Sequence, residues 1–396
     1  MSLLEVITKA SSAIASVPDQ GSRYPIVFNP DPIFSKLKPE SDAPVAGDPV
    51  RKAIGWEVSE IDSELVELGR GFFKRLKKKL NSANPLTKVS LIDMIVAHLE
   101  KVGDKIGVSL NLNKSEKWYP YKLMEKLGIL LGRDAKELIL EGCIVSEVWD
   151  LLGVLIVNGI VEHSLTSSLI SKLIENRKSD LLLLCVKHSL DLHSHDILSI
   201  LRYFLILPDD GFESLVSVKE DWERQALSAI EKACGGKGVG GKDNILAKEA
   251  AQLIMLAYDG FSVSEFCLHH LLVSPNLDEV TFSACVGRLN GEEIKVLVRY
   301  LGKWLRKYER FPQVMPCPKA ASVLGLTVCD WIPSLENVTK CLSVVVDEHF
   351  SSLILQSEFD DLKSLVEIVG SLAVEARLCG TLANLAENLK MDRKES

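Results

Sequence analysis

Four groups of residues in this chain have the types and spacing from which chemistry can be built, and each depends on a frame that its neighbours must supply. The stretch KHSLDLHSHD carries His188, His193, His195 and Asp196. Imidazoles and a carboxylate at that density could ligate a metal, but a metal site needs ligands converging from rigid elements with fixed outer contacts. These four lie at a helix end and the turn after it, where His and Asp serve as caps and dipole partners. His269 and His270 are adjacent on a helix and point in different directions. No metal is expected at either place. Gly235–Lys242 reads GGKGVGGK, which has the spacing of a phosphate loop. Such a loop follows a strand and places Ser or Thr after its lysine. Here a helix precedes it and Asp243 follows, so no nucleotide is expected, only an interhelical loop.

The nine cysteines form the third group: Cys143, Cys185, Cys234, Cys267, Cys285, Cys317, Cys329, Cys341 and Cys379. No CxxC occurs, which argues against a zinc ribbon or a thioredoxin-type motif. Most sit in apolar helical stretches, where Cys behaves as a small hydrophobe. No nucleophile signature surrounds any of them. Their number and spread imply reduced thiols in the cytosol or nucleus. No catalytic residue, cofactor or small-molecule substrate is expected.

The fourth group is cationic. Lys74–Lys79 reads KRLKKK, inside a stretch where Ile61, Leu65, Leu68, Phe72, Leu76 and Leu80 repeat at helical spacing. Arg70, Lys74, Arg75, Lys77, Lys78 and Lys79 then fall on the other side of that helix. The chain as a whole has a formal net charge of −8, so this basic run stands against its background. Lys74, Arg75, Lys77, Lys78 and Lys79 are the candidates for nuclear import or for contact with RNA phosphates. A solvated helix face is the plainer account. A second basic and aromatic cluster, Lys303, Arg306, Lys307 and Arg310 with Trp304 and Tyr308, has the composition of an RNA-touching surface. Helical spacing instead puts Trp304 and Tyr308 with Leu297, Tyr300, Leu301 and Leu305, so a core role is expected for both rings. The expected neighbour of Trp304 is the helix containing Val345 and Phe350.

The elements that must position these groups are helices. Runs at 3.6-residue spacing recur from Ser59 onward, including Leu91–Ile106, Ala135–Asn158, Asp180–Leu190, Glu292–Tyr308, Val338–Ile354 and Phe359–Leu389. Period-two alternation is essentially absent. The expected class is all-α, an irregular α-solenoid of stacked helical hairpins without a fixed repeat period. The expected organisation is an extended, partly disordered proline-rich arm over 1–58, a helical region over 59–234, a Gly-rich loop over 235–243, a second helical region over 244–390 and a disordered tail over 391–396. The arm cannot hold a helix, because each proline removes a donor and restricts its predecessor. It still carries Tyr24, Phe28, Ile33 and Phe34, which either pack back on the helical body or form a docking peptide for a partner groove.

Composition bounds the rest. Hydrophobic residues make up 47% and charged residues 25% of the 396, which is globular and not disordered. Glu5 and Lys9 interrupt the first apolar residues, so no secretory signal is expected. The most apolar run, Leu151–Val161, is short of the roughly 20 residues a membrane span needs.

The stretch from Leu297 to Phe350 carries three recognisable pieces. They are Tyr300, Leu301, Trp304, Leu305 and Tyr308; a Cys317-Pro318 hinge; and Asp330-Trp331-Ile332 with Asp347-Glu348-His349-Phe350. In these the carboxy-terminal third resembles the helical region of the nucleolar protein eleven family, subunits of the complex that starts small-subunit ribosome assembly. The whole chain also resembles plant proteins that open with MSLLEVITKA and carry YPIVFNPDPIF. Members of the nucleolar family bear a β-propeller before the helical region, for which this chain has neither length nor strands. The resemblance therefore implies a relative built of the helical part alone, with Tyr300, Trp304, Tyr308, Trp331 and Phe350 as packing positions. It implies a non-enzymatic scaffold in nucleolar pre-ribosomal RNA transcription or processing, with protein partners from a pre-ribosomal complex and RNA contact. The alternative is a cytosolic helical adaptor with no RNA role.

Overall fold

Polar side chains mark where several of the helices begin. Thr87, Ser262, Asp278 and Asn290 each accept a hydrogen bond from a first-turn amide. At Ser262 and Asn290 a glutamate three residues on (Glu265, Glu293) returns the bond to the cap's own amide. That reciprocal arrangement satisfies donors which a helix otherwise leaves open.

The structure is a computed structural model and describes residues 60–82, 86–108, 113–234, 241–355, 364–365 and 367–374. The arm residues Tyr24, Phe28, Ile33 and Phe34, the loop residues 235–240 and the tail 391–396 lie outside the described residues. The chain divides into two units, Met1–Val58 and Ser59–Ser396, and every described residue belongs to the second.

The described helices are α1 (Glu60–Leu80), α2 (Lys88–Ile106), α3 (Tyr119–Leu127), α4 (Arg133–Val145), α5 (Trp149–Val157), α6 (His163–Glu175), α7 (Ser179–His188) and α8 (Ser194–Leu205). They continue as α9 (Val216–Cys234), α10 (Gly241–Tyr258), α11 (Val263–Val273), α12 (Glu279–Val286), α13 (Gly291–Arg310), α14 (Lys319–Leu324) and α15 (Leu335–Leu355). A 3-10 turn at Thr327–Trp331 and a helical stretch within 364–374 complete the body. Among the described residues there is no strand, and no helix is long and apolar enough to cross a membrane. The fold is all-α and solenoid-like.

Stacking is regular from α2 to α8: α2 and α3 form a hairpin with α2 on α4 and α3 on α5, and α6 packs on α8. Helices α4 and α5 form a hairpin, α6 and α7 form the next, and α4 packs on α6 while α5 packs on α7. The two hairpins have a common period of thirty residues: α4 and α6 start at Arg133 and His163, α5 and α7 at Trp149 and Ser179. Their inner turns match as well. Glu147 and Arg177 both take left-handed backbone (φ 52° and 55°). Val148 and Lys178 then donate to the carbonyls of Cys143 and Leu173 at 2.8 and 2.9 Å. This is the Schellman closure, which normally falls to glycine. It corrects the expectation of one continuous helix over Ala135–Asn158, because no Gly or Pro marks the break. It also shows a period that the side chains do not repeat.

Beyond α8 the order loosens. Helix α8 packs on α11, α12 and α13, α9 pairs with α10, and α15 closes over α12 and α13. One continuous buried cluster nonetheless runs from Phe72 to Ile368. At Gly302 on α13 an added Cβ would lie 3.0 Å from Leu365, so glycine there lets the 364–374 stretch seat against the helix.

Candidate nucleic-acid interface

Helix α1 is asymmetric along its length. Its first half carries Glu60, Asp62, Glu64 and Glu67, and its second half carries Arg70 and the KRLKKK run. Phe72 and Leu76 are buried, while Lys74, Arg75, Lys77, Lys78 and Lys79 are all exposed. The sequence expectation of an apolar face backed by a basic face is met. Three lysines in the last turn exceed what a helix terminus, bearing about half a negative charge, calls for.

Helix α2 completes the site. A cleft of about 670 Å³ opens between the two helices, with Arg75, Lys78, Lys79 and Lys101 around it and Phe72, Met94 and His98 at its floor. The His98 ring stacks on Phe72, centroids 4.2 Å apart and nearly parallel. Burial, reinforced by the charges of Arg75 and Lys101, lowers the His98 pKa to about 4. The imidazole is therefore neutral near pH 7, and its Nδ1 has no protein hydrogen-bond partner. Other cations of this end are paired: Lys105 with Glu64 at 2.5 Å, Lys114 with Glu100 at 2.8 Å and Arg133 with Glu162 at 3.2 Å. Among the described residues no carboxylate lies within 4.0 Å of Lys74, Arg75, Lys78, Lys79 or Lys101. Lys77 sits over the Phe73 ring at 5.5 Å.

A second cleft, about 530 Å³, lies on the other side of His98. Leu65, Val66, Phe73, Val102 and Ile106 make it apolar, and Arg70, Lys74 and Arg133 rim it. Reading the sequence finds the α1 cations but misses His98 and Lys101. Their signal is present in it: Met94, Ala97, His98 and Lys101 recur at helical spacing, which places them on one face of α2.

The second basic cluster is built differently. Trp304 and Tyr308 are buried, as are Tyr300, Leu297 and Leu301. Lys303 bonds both oxygens of Glu265 at 2.8 Å, and Lys307 reaches Asp259 at 3.6 Å. Both ammonium groups lie over the Phe261 ring, at 5.7 and 5.3 Å. These cations tie α13 to the start of α11 and to the turn before it. The rings around Trp304 are Phe261 at 4.8 Å, His269 at 4.9 Å and Tyr308 at 5.6 Å. Helix α15 does pack on α13, and Val345 is buried, but these aromatic neighbours come from α13 itself, α11 and the turn before it.

Phe350 corrects the expectation that it is a packing position: it is 58% exposed. The backbone at His349 leaves helical geometry (φ −120°, ψ 18°), and that kink carries Phe350 away from the core. Its two predecessors make the contact instead. His349 Nε2 meets the Val286 carbonyl at 2.8 Å, and Ser283 donates to Glu348. Trp331 is half-buried, 5.1 Å from the His270 ring.

Several of the remaining groups have structural partners. Asp196 is buried and accepts from Ser167 at 2.7 Å, pinning the start of α8 to α6. Among the described residues no set of His, Cys, Asp or Glu is arranged to hold a metal ion. In the GGKGVGGK stretch the backbone is already helical from Gly241, two residues before the expected end of the loop. His269 faces Tyr300 and Ala257, whereas His270 faces Trp331. Burial pushes the thiols of Cys143 and Cys185 up to about 12, which disfavours the thiolate a nucleophile would need.

No family model matches this chain, and neither does any curated protein or solved structure.

Proposed function

We propose that this chain is a non-enzymatic helical scaffold that binds single-stranded RNA along the α1–α2 cleft, within nucleolar assembly of the small ribosomal subunit. One observation carries the RNA part. The cations of one helix end stand exposed around a cleft with no carboxylate in reach, whereas Lys105, Arg133 and Lys303 are each committed to a glutamate. Unpaired cations gain most from phosphates, because each contact releases a condensed counterion. The apolar floor gives a base somewhere to go once its phosphate is held. The nucleolar part rests on the resemblance in Tyr300, Trp304, Tyr308 and the Asp347–Phe350 stretch.

The test is a titration with labelled single-stranded RNA at several salt concentrations. Replacing Arg75, Lys78 and Lys79 together with Gln should weaken binding about tenfold or more and reduce the salt slope by about 2, at roughly 0.7 per phosphate contact. An unchanged slope would remove these side chains from the interface. In cells, a fluorescent fusion with Lys77, Lys78 and Lys79 changed to Ala should leave the nucleus if the same run also drives import.

A second reading, a cytosolic adaptor, is favoured by the neighbouring apolar cleft of Leu65, Val66, Phe73, Val102 and Ile106. An amphipathic helix with acidic flanks fits such a groove. Cytoplasmic signal for the intact fusion, together with no RNA binding, selects it.

A further inference from the structure

Far along the chain from the cationic cleft, four elements meet around a polar cavity of about 190 Å³. Lys187 enters from the last turn of α7, Asp221 and Trp222 from α9, His270 from α11, and Val328 and Trp331 from the 3-10 turn. One wall is complete in itself. Asp221 accepts from Arg224 and from Gln225 Nε2, and Gln225 Oε1 accepts from the Val328 amide at 2.9 Å. The opposite wall is not.

His270 is only 1% exposed, and neither of its ring nitrogens has a protein hydrogen-bond partner. Its neighbour shows what a settled buried histidine looks like here. His269, equally enclosed, meets the Tyr300 hydroxyl at 2.7 Å and the Ala257 carbonyl at 3.2 Å. Lys187 is half-buried, and among the described residues no carboxylate lies within 4.0 Å of its ammonium group; the Asp221 carboxylate acts on it only at longer range. A lysine in the last turn of a helix complements the dipole, but an exposed side chain does that without losing its water. A desolvated cation and an imidazole without partners, facing one cavity, call for the same kind of guest.

We propose that this cavity binds a small oxyanion, the carboxylate or phosphate of a metabolite-sized molecule, between the Lys187 ammonium and a ring N–H of His270. Burial lowers the Lys187 pKa and holds His270 neutral, so the imidazole contributes one directed donor and the lysine contributes the charge. At about 190 Å³ the cavity has room for such a group and the water around it. Trp222 and Trp331 lie 6.0 and 5.1 Å from the His270 ring and give the guest apolar sides. The sequence alone gives no expectation of a small-molecule ligand, because Lys187, His270 and Trp331 are far apart in it.

Amine footprinting of the intact protein tests this without any variant. Acetylation of Lys187, read by peptide mass spectrometry, should fall about fivefold in sodium phosphate or sodium acetate at several times Kd, compared with sodium chloride of equal ionic strength. Lys172, exposed on α6, serves as the control and should not change. Protection by phosphate alone identifies a phosphate site, and protection by acetate alone identifies a carboxylate site. The same anion should raise the melting temperature of the intact protein but not that of Lys187→Met, which keeps the apolar stem. Equal labelling of Lys187 in both anions and in chloride would overturn the proposal and leave a water-filled cavity. So would an anion stabilisation that Lys187→Met retains.

Discussion

Two regions of this chain combine lysine, arginine and aromatic residues on one helix, and folding uses them in opposite ways. In α13 the aromatic residues are inside and Lys303 and Lys307 reach back to Glu265 and Asp259. In α1 the aromatic floor is covered and the cations from Lys74 onward turn outward without carboxylate partners. Composition is nearly the same in both, so composition alone does not make a binding surface. The difference lies in where the acidic residues are. The start of α11 supplies Glu265 and the turn before it Asp259, whereas the last acidic residue of α1, Glu67, reaches Arg70 and not the KRLKKK run beyond it. An exposed pair adds little to stability, but it uses up the charge that a phosphate would need.

The largest expected effect breaks this comparison at its structural side. Trp304 has no exposed surface and sits among Phe261, His269 and Tyr308. Trp304→Ala should cost about 3–5 kcal/mol through lost burial and the cavity left behind, which is comparable with the whole stability of many domains. A melt of this variant should show a large drop in melting temperature. A stable variant that had lost only RNA affinity would mean that α13, not α1, presents the binding face.

Acid should act at both ends through buried histidines. Folded His98 takes a proton only near pH 4 and His269 only near pH 3, whereas an unfolded imidazole does so near pH 6.5. Between those limits the unfolded chain binds more protons. Both contributions are therefore complete above about pH 6.5 and are lost as the pH falls through the folded values. Each pH unit that separates the folded from the unfolded value corresponds to about 1.4 kcal/mol. His98→Phe keeps a ring on Phe72 and should flatten the decline in urea midpoint between about pH 6.5 and 4. An identical decline in the variant would show that His98 is protonated in the folded state.

How far the residues foretell this structure depends on whether a feature is local. The buried faces of α1 and α13 follow from helical spacing, and so does the exposure of Lys74 to Lys79. The break at Glu147 is not legible, because the left-handed residue there is neither Gly nor Asn, and a long apolar run continues on either side. The thirty-residue period is hidden for a related reason: helix bounds and turn geometry repeat while the side chains do not. The cationic cleft is half legible, since Lys101 and His98 join it from a second helix. Lys187 and His270 are beyond reach, because only packing brings α7 and α11 to one cavity.

The smallest expected effect concerns the end of α15, where a motif that reads as packing divides into two roles. Phe350 is 58% exposed, so Phe350→Ser removes little buried surface and should change stability by less than about 0.5 kcal/mol. His349 is the contrasting case one residue earlier. Its imidazole bonds the Val286 carbonyl at the end of α12, and His349→Ala leaves that carbonyl without its partner. A lost hydrogen bond of this kind costs about 1 kcal/mol, more when the group left behind is buried. The ordering His349→Ala below Phe350→Ser in melting temperature tests the kink directly. If Phe350→Ser were the more damaging change, the phenylalanine would face inward and α15 would run straight through His349. If neither substitution moved the melt but Phe350→Ser abolished capture of a partner, the exposed ring would be a docking residue. It would then do for protein contact at this end of the molecule what the unpaired lysines of α1 are proposed to do for phosphate at the other.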